Sequence, residues 1–203
     1  MSSLKFPHSS GNAVSIAAPQ DNPSSDRTLY LPSNADGTVL TNATPGCILQ
    51  VVQSVKTDTF TSTADSFQDV SGLSAAITPS ATSSKVLIEL SLTYSGSDDS
   101  YCFGQLVRGS TAIDIGVADG NRERVSFTLN IPGSASSENK LFNLGYSYLD
   151  SPSTTSATTY KIQVRNYSGD TGRSYCINRT KVDSNVAYNF RGTSKIILTE
   201  VAG

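Results

Sequence analysis

The side chains able to do chemistry are few, and their spacing argues against most of the chemistries they could serve. A serine hydrolase needs a nucleophile, a base and a group that orients the base. The chain has one histidine, His8, in a leader broken by prolines. Cys47, Cys102 and Cys176 show no Cys-x-x-Cys spacing and, being three, cannot all pair within one chain, so they read as buried thiols. One histidine and no clustered acids remove most routes to a transition-metal site. Carboxylate pairs of the glycosidase kind have candidates in Asp98, Asp99, Asp114, Asp119, Glu123, Asp150 and Asp170. Most of these sit in turn signals, where aspartate hydrogen-bonds its own backbone. Asp119-Gly120-Asn121-Arg122-Glu123 sets oxygens at alternate positions of a tight turn, as a calcium loop does. It is shorter than an EF-hand loop and carries Arg122 and Arg124 beside it, so a hairpin turn is the simpler reading. The expectation is a protein that is not an enzyme and needs no metal or cofactor.

Binding chemistry has better candidates. Tyr101, Tyr167 and Tyr175 stand next to Gly/Ser/Asp-rich turns, with Asn166 and Arg173 nearby; ring faces and amide oxygens together suit a sugar or a protein receptor. The chain has no tryptophan, and the competing reading is that these tyrosines cap the edge of a sheet with their hydroxyls in water. Three Asn-x-Ser/Thr triplets, at Asn42, Asn166 and Asn178, are the coincidences expected of a chain so rich in Ser and Thr.

The elements that must position these residues are strands. At 203 residues the chain allows one ordinary domain with an appendage. Ser and Thr make up about a quarter of it, well above ordinary usage, while the apolar residues fall in short alternating runs that a disordered tract lacks. Charged residues are 16% and the formal net charge is -2, so the basic excess that phosphate neutralisation needs is missing and nucleic acid is not an expected partner. No apolar run approaches the ~20 residues of a membrane helix, and Met1 to Ser10 lack the basic-then-apolar order of a signal peptide. The expected product is soluble and made in a cytoplasm.

Residues 1–46 form a distinct arm: short apolar pieces, punctuated by Pro19, Pro23, Pro32 and Thr44-Pro45-Gly46, each too brief to bury a core alone. Val14, Ile16, Leu29, Leu31, Val39 and Leu40 are its clustered apolar side chains and hence its candidates for attachment to another surface. From 47 to 203 strand follows strand. Val86, Ile88, Leu90 and Leu92 alternate with Leu87, Glu89, Ser91 and Thr93, and Val125, Phe127, Leu129 and Ile131 alternate with Ser126, Thr128 and Asn130. Further predicted strands are Leu49–Val55, Phe67–Val70, Leu73–Ile77, Phe103–Arg108, Ala112–Val117, Leu141–Leu149, Tyr160–Tyr167, Ser174–Ile177, Val186–Phe190 and Lys195–Val201. The last leaves neither face polar, so it should be central and covered on both sides. The predicted fold class is all-β, an antiparallel β-sandwich most simply of jelly-roll type, with an extended N-terminal arm of short strands.

The phrases themselves carry a resemblance. Gly11-Asn12-Ala13-Val14-Ser15-Ile16-Ala17-Ala18-Pro19, then Asp26-Arg27-Thr28-Leu29-Tyr30-Leu31-Pro32 and Asp36-Gly37-Thr38-Val39-Leu40-Thr41, resemble a leader found in structural proteins of tailed phages, especially marine ones infecting cyanobacteria. Ile48 to Gln53, Ile77-Thr78-Pro79-Ser80, Thr82 to Ile88, Gly120-Asn121-Arg122, Leu149 to Pro152, Thr158 to Val164 and Ile197 to Val201 resemble the β-domain that follows that leader. The resemblance implies a virion structural protein serving as tail fibre, head fibre or capsid decoration, oligomeric and trimeric, with no catalytic residues. It implies attachment to capsid or tail through the arm and exposure on the virion surface, where host recognition of a surface glycan or protein is the alternative role. No long shaft separates leader and domain, which favours a knob, a short fibre or a decoration protein.

Overall fold

The computed structural model describes residues 3–7, 10–11, 13–17, 45–133, 137–169 and 172–203. The chain forms two compact units, Met1–Val39 and Leu40–Gly203. In the first, β1 (Ser3–Pro7) and β2 (Ala13–Ala17) make an antiparallel hairpin that pairs Leu4 with Ile16 and Phe6 with Val14.

The second unit is built from β3 (Ile48–Lys56), β4 (Phe60–Ser62), β5 (Gln68–Ile77), β6 (Lys85–Gly96), β7 (Cys102–Arg108), β8 (Thr111–Ile113), β9 (Phe127–Thr128), β10 (Phe142–Asp150), β11 (Thr158–Asn166), β12 (Tyr175–Ile177) and β13 (Ser194–Val201). Alternation sets which face each strand buries. In β6, Val86, Ile88, Leu90 and Leu92 are at most 3% exposed, while Lys85, Glu89 and Ser91 face water. They meet Ile196 and Leu198 of β13, Leu73 and Ile77 of β5, and Tyr160, Ile162 and Val164 of β11 in one core.

The pairings define eight rows rather than eleven. β6 is bordered on one side by β13 along Lys85–Ser91 and by β12 along Tyr94–Gly96, so β12 and β13 are one row interrupted by residues 178–193. β3 pairs β13 and β4 pairs β12, a second interrupted row. β7 is bordered by β8 and β9, which make a third around residues 114–126. The first sheet then runs β3/β4, β12/β13, β6, β10, and the second runs β5, β11, β7, β8/β9. Numbered along the chain these are rows 1-8-3-6 and 2-7-4-5. First pairs with last, second with seventh, third with sixth and fourth with fifth, which is a long hairpin rolled up, the jelly roll. The all-β antiparallel sandwich read from alternation is therefore the fold observed.

Individual strands differ from expectation where a local backbone demand wins. Phe67–Val70 and Leu73–Ile77 are one strand, β5, kinked at Gly72, whose φ of 81° only glycine adopts easily. The strand expected over Ala112–Val117 stops at Ile113, because Asp114 turns to φ 50°, and Val117 is 88% exposed. Val186–Phe190 is not a strand. It belongs to the 178–193 excursion, where the Asn189 N–H donates to the carbonyl of Val186, and all three of its large apolar side chains are exposed, so its alternation marks no buried face. β4 is too short to show a period.

Candidate functional site

The expected receptor residues separate. Tyr101 and Tyr167 are half exposed and meet edge to face, ring centroids 6.5 Å apart, held by a Tyr167 N–H bond to the Tyr101 carbonyl. Tyr167 also stands edge-on to Phe103 at 6.4 Å. The Arg173 guanidinium donates to the carbonyls of Asp98 and Asp99 beside them. Asn166 and Tyr175 are corrections: each is 1% exposed. Asn166 is spent inside, its amide donating to the Arg173 carbonyl at 2.7 Å. Tyr175 stacks on Phe60 and donates to the Val164 carbonyl, and burial pushes its phenol up to about 12. All three residues of β12 are buried, so this strand does not present Tyr175 to a partner. Of the arm residues, Val14 and Ile16 lie in β2, and Leu29, Leu31, Val39 and Leu40 lie outside the described residues, as do His8 and Asp170.

The carboxylates singled out by sequence are engaged one at a time. Asp150, 5% exposed, accepts from Tyr160 Oη at 2.6 Å and pairs with Arg108 at 2.9 Å. Asp114 accepts from Tyr146, Asp119 pairs with Arg122 at 2.6 Å, and Glu123 pairs with Arg165. Asn166 and Asn178 of the glycosylation triplets are both buried. Cys102 and Cys176 are buried and Cys47 is half-buried, all as free thiols, and burial pushes the Cys102 thiol up. Among the described residues no group of three or more His, Cys, Asp or Glu could hold a metal ion, and no helix is long and apolar enough to cross a membrane.

The two outer sheet faces are finished differently. On the second sheet, Lys161 pairs with Asp69 at 2.8 Å, Gln163 donates to Asp69 at 2.7 Å, and Gln105 donates to Gln163 at 2.7 Å, a polar ladder across β5, β11 and β7. Arg165 continues it, its guanidinium 4.8 Å from the centroid of Phe103 and 5.3 Å from that of Phe67. On the first sheet, register sets Val51, Thr199, Leu87 and Leu149 in one line across all four rows. Val51 is 59% exposed, Val55 49% and Leu149 47%; Ile197 and Val201 are half-buried beside them. β13 is central, as expected, but its outer side chains are only partly covered. The next line on this face holds Gln53, Ile197, Glu89 and Ser147 and the one beyond it Val55, Lys195, Ser91 and Gly145, whose small residues leave a depression of about 410 Å³ between Glu89 and Lys195. The exposed apolar side chains Val51, Val55 and Leu149 thus share this face with the polar Gln53, Glu89 and Lys195. Its signal in the sequence is the extra apolar residue that spoils alternation: Leu87 beside Ile88, Ile197 beside Ile196, Val51 beside Val52.

No family model and no curated protein matches the chain. Among solved structures it is similar to a chain in the structure of the Gx strain of infectious bursal disease virus, with 14% identity and a TM-score of 0.39 over 98% of this chain and 46% of that one. It is similar too to a chain of the Gt strain of the same virus, with 12% identity and a TM-score of 0.39 over 94% of this chain and 50% of that one. The chain spans about half the length of these solved chains.

Proposed function

We propose that this protein is a non-enzymatic structural component of a tailed-phage virion, a short fibre, knob or capsid decoration protein exposed on the particle surface. The observation that carries an assembly role is the contrast between the two outer faces: a polar ladder on one sheet, and on the other a line in which Val51, Leu87 and Leu149 set apolar side chains to either side of Thr199. Covering that line with sister copies removes apolar area from water at about 25 cal/mol per Å², and the reading takes the assembly to be a homotrimer. The jelly roll is compatible with this and does not select it, since capsid, lectin and cupin domains share the architecture. The phage assignment rests on the resemblance of the leader and the β-domain phrases. In it, residues 1–46 attach the particle partner by adding short strands to a neighbouring capsid or tail protein. Synthesis is in the host cytoplasm, with neither nucleic acid nor membrane as a partner.

Removing residues 1–46 should leave a folded domain that no longer joins the particle; incorporation of the shortened chain at the full-length level would sink the attachment role. A second reading, recognition of a host surface glycan or protein, is favoured by the exposed edge-to-face pair Tyr101 and Tyr167 beside Arg173, and it is compatible with the first, because three weak sites on a trimer gain from avidity.

A further inference from the structure

Four rows end the two sheets, and three of them carry features that discourage pairing with a foreign strand. The β8/β9 row consists of strands of three and two residues. β5 is kinked at Gly72, and its ladder with β11 shifts register between Lys161 and Gln163. The β3/β4 row is broken between Lys56 and Phe60, and its side chains are tied toward β5, Ser54 donating to the Gly72 carbonyl and Gln50 to that of Thr78. Short, bulged or covered edges are how folded proteins avoid edge-to-edge association.

β10 shares the side-chain ties, Tyr146 donating to Asp114 and Asp150 pairing with Arg108, but it is neither short, kinked nor broken. It pairs β6 through nine consecutive residues without a register shift, has no proline, and carries no charge before its last residue, Asp150. Among the described residues its other edge takes no backbone hydrogen bond. Its core-facing side chains are also unfinished: Leu144, Tyr146 and Tyr148 are only half-buried, although the residues opposite them, Leu92, Leu90 and Ile88, are at most 3% exposed. On that side no paired strand covers them among the described residues.

We propose that the missing strand is β10 of a second copy, paired antiparallel about a two-fold axis near Tyr146. The sequence of the strand suits itself as a partner. About that centre Leu144 faces the second copy's Tyr148, an apolar pair on the core side, and Gly145 faces its Ser147, two small residues on the outer side. The one charge, Asp150, falls opposite Phe142, so no like charges meet. The contact joins two four-row sheets into one of eight and is isologous. It rests on strand geometry and is independent of the virion assignment; it adds a two-fold contact to whatever species the apolar face forms.

The test is the mass of the full chain against concentration, read by sedimentation, with hydrogen exchange on residues 142–150. Mass should double as concentration rises, from one copy to two or from three to six, with alternate β10 amides gaining protection in step. Replacing Gly145→Lys together with Ser147→Lys sets lysine opposite lysine across the axis and should abolish the doubling at unchanged melting temperature. A Cβ at Gly145 meets nothing within 4 Å and Ser147 is exposed, so one copy tolerates both changes. Mixing that variant with Gly145→Glu, Ser147→Glu should restore the pair. Doubling that survives the lysine variant, no doubling at any soluble concentration, or β10 amides protected equally at every dilution would overturn the proposal, the last because the edge would already be covered. A monomer that doubles would support it while removing the trimer.

Discussion

Glu200 sits on the core-closing strand β13 at 1% exposure, with its carboxylate accepting from Gln50 Nε2 at 2.6 Å and from the Ser80 N–H and hydroxyl at 2.6 and 2.7 Å. Burial alone would raise its pKa, but the donors of Gln50 and Ser80 outweigh it and hold the group at about 2 against an ordinary 4.5. Since the folded value is the lower one, the stabilisation is complete above about pH 4.5 and is lost as pH falls toward 2, when the unfolded chain takes up the proton first. The difference is worth about 3 kcal/mol at most. Urea midpoints of the native chain should fall across that window; Glu200→Gln should start lower at neutral pH and converge with the native chain near pH 2. Parallel curves would mean that the cluster contributes nothing. The sequence could not announce this cluster, nor the burial of Asn166 and Tyr175, because each depends on residues 7 to 150 positions apart. Turn-rich neighbours suggested exposure for Tyr175, whereas its row in the sheet decides its burial.

At the scale of elements, the interrupted rows need fastening where they break, and one residue does it for two of them. Asn178, fully buried at φ 63°, donates through Nδ2 to the carbonyls of Lys56 and Asp58 at 2.9 Å and accepts at Oδ1 from the Ser194 hydroxyl at 2.6 Å. Its N–H bonds the Thr93 carbonyl, and its own carbonyl accepts from Gly192. The break between β3 and β4 and the one between β12 and β13 are thus joined to β6 at one point. Asn178→Ala leaves the Lys56 carbonyl and the Ser194 hydroxyl unsatisfied in the interior and should cost about 2–4 kcal/mol, read as a loss of denaturation midpoint. A loss under about 0.5 kcal/mol, the size of an ordinary surface change, would show that the rows hold without it. Strand identity was legible from period two wherever one face is buried, as in β6 and β11. Row identity was not, because collinear pieces such as β12 and β13 are separated by the 178–193 excursion, whose own alternation of Val186, Tyr188 and Phe190 imitates a strand.

For the whole molecule, the sandwich class follows from many short alternating runs, and the rolled-hairpin order 1-8-3-6 and 2-7-4-5 follows from pairings that no single strand encodes. Gly104 illustrates the coupling: it lies under the Phe127 ring, and any Cβ there would collide with it, so a residue that looks like a defect in β7 is a requirement of the row beside it. The proposed assembly face is likewise collective. Val51, Leu87, Leu149 and Ile197 come from four strands spread over the chain, and only register makes them one surface. The most direct measurement is the absolute mass in dilute solution, by light scattering, of the full chain and of residues 47–203. The full chain should weigh about three times 21.4 kDa, and the shortened one should be a trimer as well, since the proposed assembly face lies on the sandwich. Monomers of both at every concentration would contradict it, leaving the outer face of the first sheet without the sister copies that the proposed assembly requires.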